Sequence, residues 1–200
     1  MMQVAAELGQ TAYVIPEGGS NGLGALGYVE AMREVAEQAP GSDASGTARA
    51  GGARFDVVVH ACGSGGTAAG VAIGCAAYGV APRVHAVAVC DDASYFERTI
   101  ARIVAEARAL ADLPAPARLV VDDRSKGPGY GAMDAAQRAF LVRCARESGV
   151  VLDPVYTGKA MKGLLALAAK GDFDGETVVF LHTGGAQGLF GYQSELDGKL

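Results

Sequence analysis

Short apolar runs alternate along the chain with longer segments in which apolar positions recur at helical spacing. The valine-rich run FDVVVHA, residues 55–61, is typical of a strand buried on both faces of a sheet. Strands are predicted at residues 11–15, 54–61, 84–89, 119–121, 150–152 and 177–181. Helices are predicted at residues 25–38, 67–78, 94–111, 133–148 and 159–170. This alternation predicts an α/β fold with an open parallel sheet and helices on both faces.

A glycine-rich turn follows the second predicted strand, in the sequence ACGSGGTAAG at residues 61–70. Gly63, Gly65 and Gly66 allow the backbone to turn sharply and to approach a ligand closely. The first N–H groups of the helix after the turn have no intrahelical acceptor, and the helix dipole favours an anion there. The turn therefore predicts a phosphate site, although the glycines alone do not identify the phosphate.

Two further loops place hydroxyl groups beside glycine. DPVYTGK, residues 153–159, carries Tyr156 and Thr157, and HTGG, residues 182–185, carries Thr183. Taken alone, the first is typical of a helix start with a surface tyrosine and the second of a tight turn capped by threonine. Ligands of parallel sheets bind at the carboxyl ends of strands, so these loops and the glycine turn can converge on one pocket.

Composition and charge narrow the class of protein. The chain has 200 residues, half of them hydrophobic and a fifth charged, which suits one globular domain. A net charge of −5 and the lack of a basic cluster argue against nucleic-acid binding. No secretion signal and no apolar run long enough to span a membrane are visible, so a cytoplasmic location without membrane partners is predicted.

The cysteines and histidines do not form a metal-binding pattern. The cysteines have no CxxC spacing and no histidine at ligand spacing, so we interpret them as small buried side chains and predict no metal. They are Cys62, Cys75, Cys90 and Cys144. The histidines are associated with strands and are interpreted as structural, with satisfied hydrogen bonds. They are His60, His85 and His182.

Taken together, the loops point to one family. The chain closely resembles the pyridoxal-phosphate enzymes of fold type II, in the branch of D-cysteine desulfhydrase and 1-aminocyclopropane-1-carboxylate deaminase. The segments that carry the resemblance, in the family's order, are YVIPEGGSNGLGALGYVEA, ACGSGGTAAG, GPGYG, DPVYTGKAMKGLLAL and HTGGAQGLFGY. Residues 40–52 are the main stretch without it. The resemblance implies a tryptophan-synthase-β-like fold, a pyridoxal 5'-phosphate cofactor, a small amino-acid substrate and a homodimer for the full-length protein.

The resemblance also implies roles around the cofactor. The segment that would hold the phosphate, mostly through backbone N–H groups, consists of Gly63, Ser64, Gly65, Gly66 and Thr67. Thr183 would contact the pyridine nitrogen. Because the phosphate segment begins a helix, backbone donors and the helix dipole would act on the same anion.

Further roles concern the substrate. Tyr130, in GPGYG, and Tyr156 match tyrosines that line the family's active site. Either tyrosine would relay a proton or assist the leaving sulfur, and the sequence does not decide between them. Ser20 and Asn21 match a loop at the mouth of the site, where Ser20 would contact the substrate carboxylate.

Two positions distinguish the branches of the family. The deaminases carry glutamate at the position of Thr157, whereas the desulfhydrases carry threonine there and contact the pyridine nitrogen through the threonine that matches Thr183. A hydroxyl can donate to an unprotonated ring nitrogen, whereas a carboxylate favours a protonated one. The resemblance therefore implies α,β-elimination of D-cysteine to pyruvate, ammonia and sulfide. The alternatives in the same family are 1-aminocyclopropane-1-carboxylate deaminase and cysteate sulfo-lyase.

One departure from the family is large. The family's Schiff-base lysine lies in an N-terminal GGNK-like segment, and a Ser-Asn-His segment follows it; neither occurs here. The lysines present are Lys126, Lys159, Lys162, Lys170 and Lys199. We therefore expect this chain to be the C-terminal portion of a longer enzyme and to be inactive alone.

The resemblance also implies a division into domains. Residues 1–39 would end the small domain and return to the large one, 40–52 would form an exposed loop, and 53–200 would form the cofactor-binding domain.

Two readings from other classes remain. Gly63, Gly65 and Ala68 satisfy the dinucleotide-binding pattern GxGxxA, and Asp91 follows the next predicted strand. That reading leaves DPVYTGK and HTGG unexplained, and a strand and a helix already precede the glycines. The other reading is a non-catalytic remnant that binds a phosphate-bearing ligand or a partner chain.

Overall fold

The computed structural model describes residues 2–7, 9, 14–39 and 54–196. The strands are β1 (Val57–Cys62), β2 (Arg83–Ala88), β3 (Arg118–Asp122) and β4 (Val178–Phe180). The helices are α1 (Met2–Glu7), α2 (Gly22–Gln38), α3 (Gly66–Tyr78), α4 (Ala93–Leu110), α5 (Ala135–Ser148), α6 (Thr157–Ala168) and α7 (Gln193–Leu196), with 3-10 turns at Glu17–Gly19 and Ala186–Tyr192. In this part of the chain, no helix combines the length and the apolar character needed to cross a membrane.

The strands form one parallel sheet in the order β3-β2-β1-β4. Strand β1 lies inside the sheet and is buried along its whole length. Its side chains alternate between the faces: Val58 packs with α2 and α3, whereas Val57 and Val59 pack with α6. Helices therefore cover both faces of the sheet, and the fold class predicted from the alternating pattern is confirmed.

Helices α2 and α3 approach each other closely because the contact is made at glycine. A Cβ atom added at Gly70 would lie 2.2 Å from the carbonyl oxygen of Ala25, and one added at Gly74 would lie 2.6 Å from Cβ of Met32. Neither position accepts a side chain without separating the helices. This packing seats α2 in the same apolar core as α3 and α4.

Helix α4 begins at Ala93, one residue before the start predicted from the sequence. Asp92 is the N-cap, with an extended backbone, and its side chain accepts a hydrogen bond of 2.7 Å from the N–H of Tyr95. Ser94 donates to the same carboxylate. A capping oxygen must lie immediately before the first helical residue, which is Ala93, so Ser94 is already inside the helix.

Residues 150–152 do not form the predicted strand. Val150 and Val151 are 40% and 47% exposed, and the carbonyl of Val151 accepts a 3.0 Å contact from Nε2 of His182 instead of a sheet hydrogen bond. Of the predicted strand at 11–15, residues 11–13 lie outside the described residues and 14–15 are not in a strand. The predicted loop at 40–52 also lies outside them, so the predicted domain boundaries stay predictions.

His60 is fully buried in β1. The sequence interpretation expected its hydrogen bonds to be satisfied, but only one ring nitrogen has a partner among the described residues. Its Nδ1 lies 2.8 Å from the carbonyl oxygen of Ala61, whereas its Nε2 has no hydrogen-bond partner among the described residues. Burial lowers the pKa of His60 to about 4 because a charged imidazolium is poorly solvated there. Nε2 of His85 likewise has no hydrogen-bond partner among the described residues, although it lies 3.6 Å from a carboxylate oxygen of Asp122.

This burial predicts a loss of stability in mild acid. Below the usual pKa of 6.5 the unfolded chain binds a proton at residue 60 that the folded chain does not bind until pH falls to about 4. The free energy of unfolding should therefore fall by about 3 kcal/mol between pH 7 and pH 4 through His60 alone. Urea unfolding of wild type and His60→Gln at several pH values measures this contribution.

His182→Gln is the matched control, because His182 is exposed. The acid-dependent loss should shrink in His60→Gln and persist in His182→Gln. Parallel stability curves for all three proteins would contradict the assignment.

Candidate active site

The loops at one edge of the sheet enclose a common cleft. Because β1, β2, β3 and β4 are parallel, their carboxyl ends lie at the same edge. A cleft of about 310 Å³ opens there. Its lining includes four residues predicted from the sequence, which are Ser20, Gly63, Ser64 and Tyr130. The structure thus brings together residues from three distant parts of the chain.

The glycine turn leaves the start of α3 open to an anion. Gly65 occupies the N-cap with φ of 89°, a left-handed conformation that favours glycine, and no side chain caps the helix. The first N–H groups of α3, including those of Gly66 and Thr67, have no acceptor within the helix. A Cβ added at Gly66 would lie 2.8 Å from Oγ of Ser20. The turn therefore combines free backbone N–H donors with a position, residue 66, where only glycine fits beside Ser20.

Ser20 and Asn21 lie beside the glycine turn and make different contacts. The hydroxyl of the buried Ser20 donates a 2.6 Å hydrogen bond to Oγ of Ser64. The proton of the Ser64 hydroxyl therefore remains available for another acceptor. Asn21 is the N-cap of α2, and its side chain accepts from the N–H of Gly24 at 2.8 Å. Their predicted contacts with substrate stay predictions.

Tyr130 and Tyr156 form a pair. Their hydroxyl groups are hydrogen-bonded to each other, and their ring centroids are 5.9 Å apart at an interplanar angle of 74°. Tyr130 is 59% exposed, whereas Tyr156 is half-buried and its ring lies against Gly63. Burial, and then the hydrogen bond with Tyr130, raise the pKa of Tyr156 above its usual value. The phenol of Tyr156 is therefore protonated at neutral pH.

Asp153 organises the DPVYTGK loop, a role that sequence reasoning missed. The side chain is 1% exposed, and its carboxylate accepts hydrogen bonds of 2.7–2.8 Å from the backbone N–H groups of residues 155–157. It also accepts the hydroxyl of the buried Thr157 at 2.6 Å. A Cβ added at Gly185 would lie 2.7 Å from Cγ of Asp153, so the carboxylate also contacts the HTGG loop. An aspartate just before a helix start was the available signal.

Thr183 lies on the HTGG loop and is exposed. The loop is held by His182, which contacts the carbonyl of Val151 and accepts a 3.3 Å hydrogen bond from the N–H of Gly184. Because Gly185 abuts Asp153, the loops that carry Thr183 and Tyr156 are neighbours. The contact of Thr183 with a pyridine nitrogen stays a prediction.

Three cysteines, of which Cys90 lines the cleft, are protonated thiols. Burial raises the pKa of Cys62 and of Cys75 to about 12. Cys90, at the cleft, donates a weak hydrogen bond of 3.6 Å to the carbonyl of Gly63, and burial raises its pKa as well. Thiols with raised pKa are poor nucleophiles. Among the described residues, no group of histidine, cysteine and carboxylate side chains could hold a metal ion.

Comparison with protein families gives one extensive match. The family described as "Pyridoxal-phosphate dependent enzyme" matches residues 1–184. The bifunctional D-cysteine desulfhydrase/1-aminocyclopropane-1-carboxylate deaminase of Arabidopsis thaliana is 39% identical over 185 residues, which are 91% of this chain and 43% of that protein. The D-cysteine desulfhydrase of Klebsiella pneumoniae is 38% identical over 192 residues, 94% of this chain and 55% of that protein.

A solved structure described as an ACC deaminase homologue has a TM-score of 0.80 and 33% identity, and covers all of this chain and 58% of its own. The chain therefore spans about half the length of the curated relatives that it matches. These comparisons agree with the resemblance to the pyridoxal-phosphate enzymes found in the sequence, rather than with the hypothesis of a dinucleotide-binding domain.

The role of Asp153 predicts a large effect on stability. Replacing Asp153 by alanine removes the acceptor for three backbone N–H groups and for a buried hydroxyl. Leaving such groups unpaired should lower the free energy of unfolding by about 3 kcal/mol or more. Asp134→Ala is the matched control, since Asp134 caps α5 through one N–H, and such a loss costs about 1 kcal/mol. Equal losses in urea unfolding would contradict a special role for Asp153.

Proposed function

Since the chain belongs to the family of pyridoxal-phosphate dependent enzymes and has the type II fold of that family, we propose that it carries the cofactor site of a D-cysteine desulfhydrase. The reaction is α,β-elimination, in which D-cysteine loses sulfide and gives pyruvate and ammonia. The observation that carries the proposal is a cleft lined both by Gly63 and Ser64, which lead into the uncapped start of α3, and by Tyr130, which is hydrogen-bonded to Tyr156.

The glycine turn fits the phosphate of the cofactor. The N–H groups of Gly66 and Thr67 are the donors that an uncapped helix start offers to an anion. The hydroxyl of Ser64 is free to donate because Ser20 donates to its oxygen. A side chain at residue 66 would fill the space beside Ser20. We therefore assign the phosphate to residues 63–67.

The tyrosine pair supplies the proton chemistry. When bound, the cofactor stabilises negative charge on the substrate carbon next to the amino group. A phenol is protonated at neutral pH at its ordinary pKa, and burial raises the pKa of Tyr156 further. The Tyr156 hydroxyl therefore carries a proton that it can share with a leaving thiolate through a hydrogen bond. Its hydroxyl shares a hydrogen bond with that of the exposed Tyr130. Tyr130 can return a proton from solvent to Tyr156.

The positions of two threonines favour the desulfhydrase branch. Thr157 is fully buried, and its hydroxyl both donates to the carboxylate of Asp153 and accepts from the backbone N–H of that residue. The hydroxyl proton of Thr157 is thus already used in a hydrogen bond within its own loop. Thr183 is exposed on the neighbouring loop, and its hydroxyl is the one that can donate to an unprotonated ring nitrogen.

The second candidate is ring opening of 1-aminocyclopropane-1-carboxylate. The relative from Arabidopsis thaliana carries both activities in its name, and the solved structure is described as an ACC deaminase homologue. Residue 157 separates the candidates, because a threonine there supplies no carboxylate for the ring nitrogen.

Cofactor binding tests the phosphate site directly. Titration calorimetry with pyridoxal phosphate should show no binding to Gly66→Val, because the added side chain meets Ser20. Thr67→Ala loses one hydroxyl donor to a charged group and should weaken binding about tenfold or more. Gly27→Val is the control, since nothing lies within 4 Å of a Cβ at Gly27. Unchanged affinity in Gly66→Val would reject the site.

Substrate turnover tests the branch. The chain spans 55% of the Klebsiella pneumoniae desulfhydrase, and we expect it to match the C-terminal portion. For the test, the chain would be fused behind the N-terminal part of that protein. The fused protein should release sulfide and pyruvate from D-cysteine, and Tyr156→Phe should slow this release about a hundredfold. The chain of 200 residues alone should release no more than free cofactor does. Turnover of 1-aminocyclopropane-1-carboxylate alone would establish the second candidate instead.

A further inference from the structure

Lys159 is a buried amine that the proposed chemistry does not use. It lies in the first turn of α6, and the residue is 1% exposed. Burial lowers the pKa of Lys159, which shows that its environment opposes the charge. Among the described residues, no carboxylate lies within ion-pair distance of its Nζ atom. A lysine in such a place requires a compensating set of contacts.

Two backbone carbonyls provide that compensation. Nζ donates a hydrogen bond of 3.1 Å to the carbonyl of Val89 and one of 2.5 Å to the carbonyl of Gly129. Val89 directly follows β2, whereas Gly129 directly precedes Tyr130 in the loop after β3. One ammonium group therefore connects the end of a central strand with the loop that carries a residue of the tyrosine pair.

The loop at residues 126–131 needs such a connection. Gly127, Gly129 and Gly131 have φ of 67°, 141° and 68°, conformations that are natural to glycine but that also leave the unfolded loop many alternatives. The carbonyl of Gly131 accepts the hydroxyl of Tyr192 at the other end of the loop. Lys159 holds the middle of the loop, next to Tyr130.

We propose that Lys159 is a positioning residue, whose buried ammonium ties the 126–131 loop to the end of β2 and so places the phenol of Tyr130 against that of Tyr156. The tie itself depends only on these contacts; its relevance to proton transfer rests on the proposed function. Lysine is suited to this task because an ammonium group has three donors and no acceptor, and can therefore serve two carbonyls at once.

The test replaces Lys159 by methionine, which has a similar length and no donors. Trypsin cleavage after Lys126, at the start of the loop, reports the opening of the loop and should become about tenfold faster or more. Cleavage after Arg108 and Arg146, which lie in helices α4 and α5, should keep the wild-type rate. Lys162→Met, in the same helix and partly exposed, is the matched control and should behave as wild type.

A second readout follows the tyrosines themselves. In protein labelled with ¹³C at Cζ of tyrosine, Lys159→Met should shift the signal of Tyr156 in the same direction as Tyr130→Phe does. The double variant should shift it little further, because both changes remove the same contact. A purely structural lysine would lower stability without this specific shift.

These measurements need neither cofactor nor turnover, so their outcome is separate from that of the proposed function. Unchanged cleavage after Lys126, or equal acceleration at every site, would overturn the proposal. If Lys159→Met does not fold, Lys159→Gln retains N–H donors on a shorter side chain. Trypsin should then cleave Lys159→Gln after Lys126 faster than it cleaves the wild type. Cleavage of Lys159→Gln at the wild-type rate would also overturn the proposal.

Discussion

The parallel pairing of β1 with β2 on one side and β4 on the other brings the strand ends to a single edge of the sheet. A strand buried on both faces cannot slip by one residue without exchanging the side chains that its two faces present. The register is therefore firmly set, and the loops that leave the edge begin at fixed points. The contact between Gly63 and the ring of Tyr156 depends on that arrangement.

Two buried charges of opposite sign complete the edge, and both belong to the DPVYTGK motif. Asp153 is compensated by backbone N–H groups and Lys159 by backbone carbonyls. Each charge therefore organises main chain rather than a neighbouring ion, although their mutual attraction also favours the charged form of Lys159. The two charged residues of the DPVYTGK motif thus shape the loops around the cleft.

The valine run and the glycine turn predicted β1, the sharp turn after it and α3 because these features depend on local sequence. The residues that connect the loops were not predictable in the same way. Tyr130 and Tyr156 are 26 positions apart, and only the folded sheet edge brings their hydroxyls together. The strand predicted at 150–152 is absent because a strand also depends on distant partners. Its residues suit a strand, but no neighbouring strand pairs with them in the described part of the chain.

The close contact between α2 and α3 at Gly70 has a consequence for the two walls of the cleft. Because a methyl group at this position already overlaps the carbonyl of Ala25, the two helices have no room to move closer together. Ser20 and Ser64, just before the starts of these helices, are hydrogen-bonded to each other. The opposite wall, the tyrosine loop, is held by hydrogen bonds from Lys159 and Tyr192. One wall of the cleft is thus fixed by helix packing, whereas the other depends on a few individual hydrogen bonds.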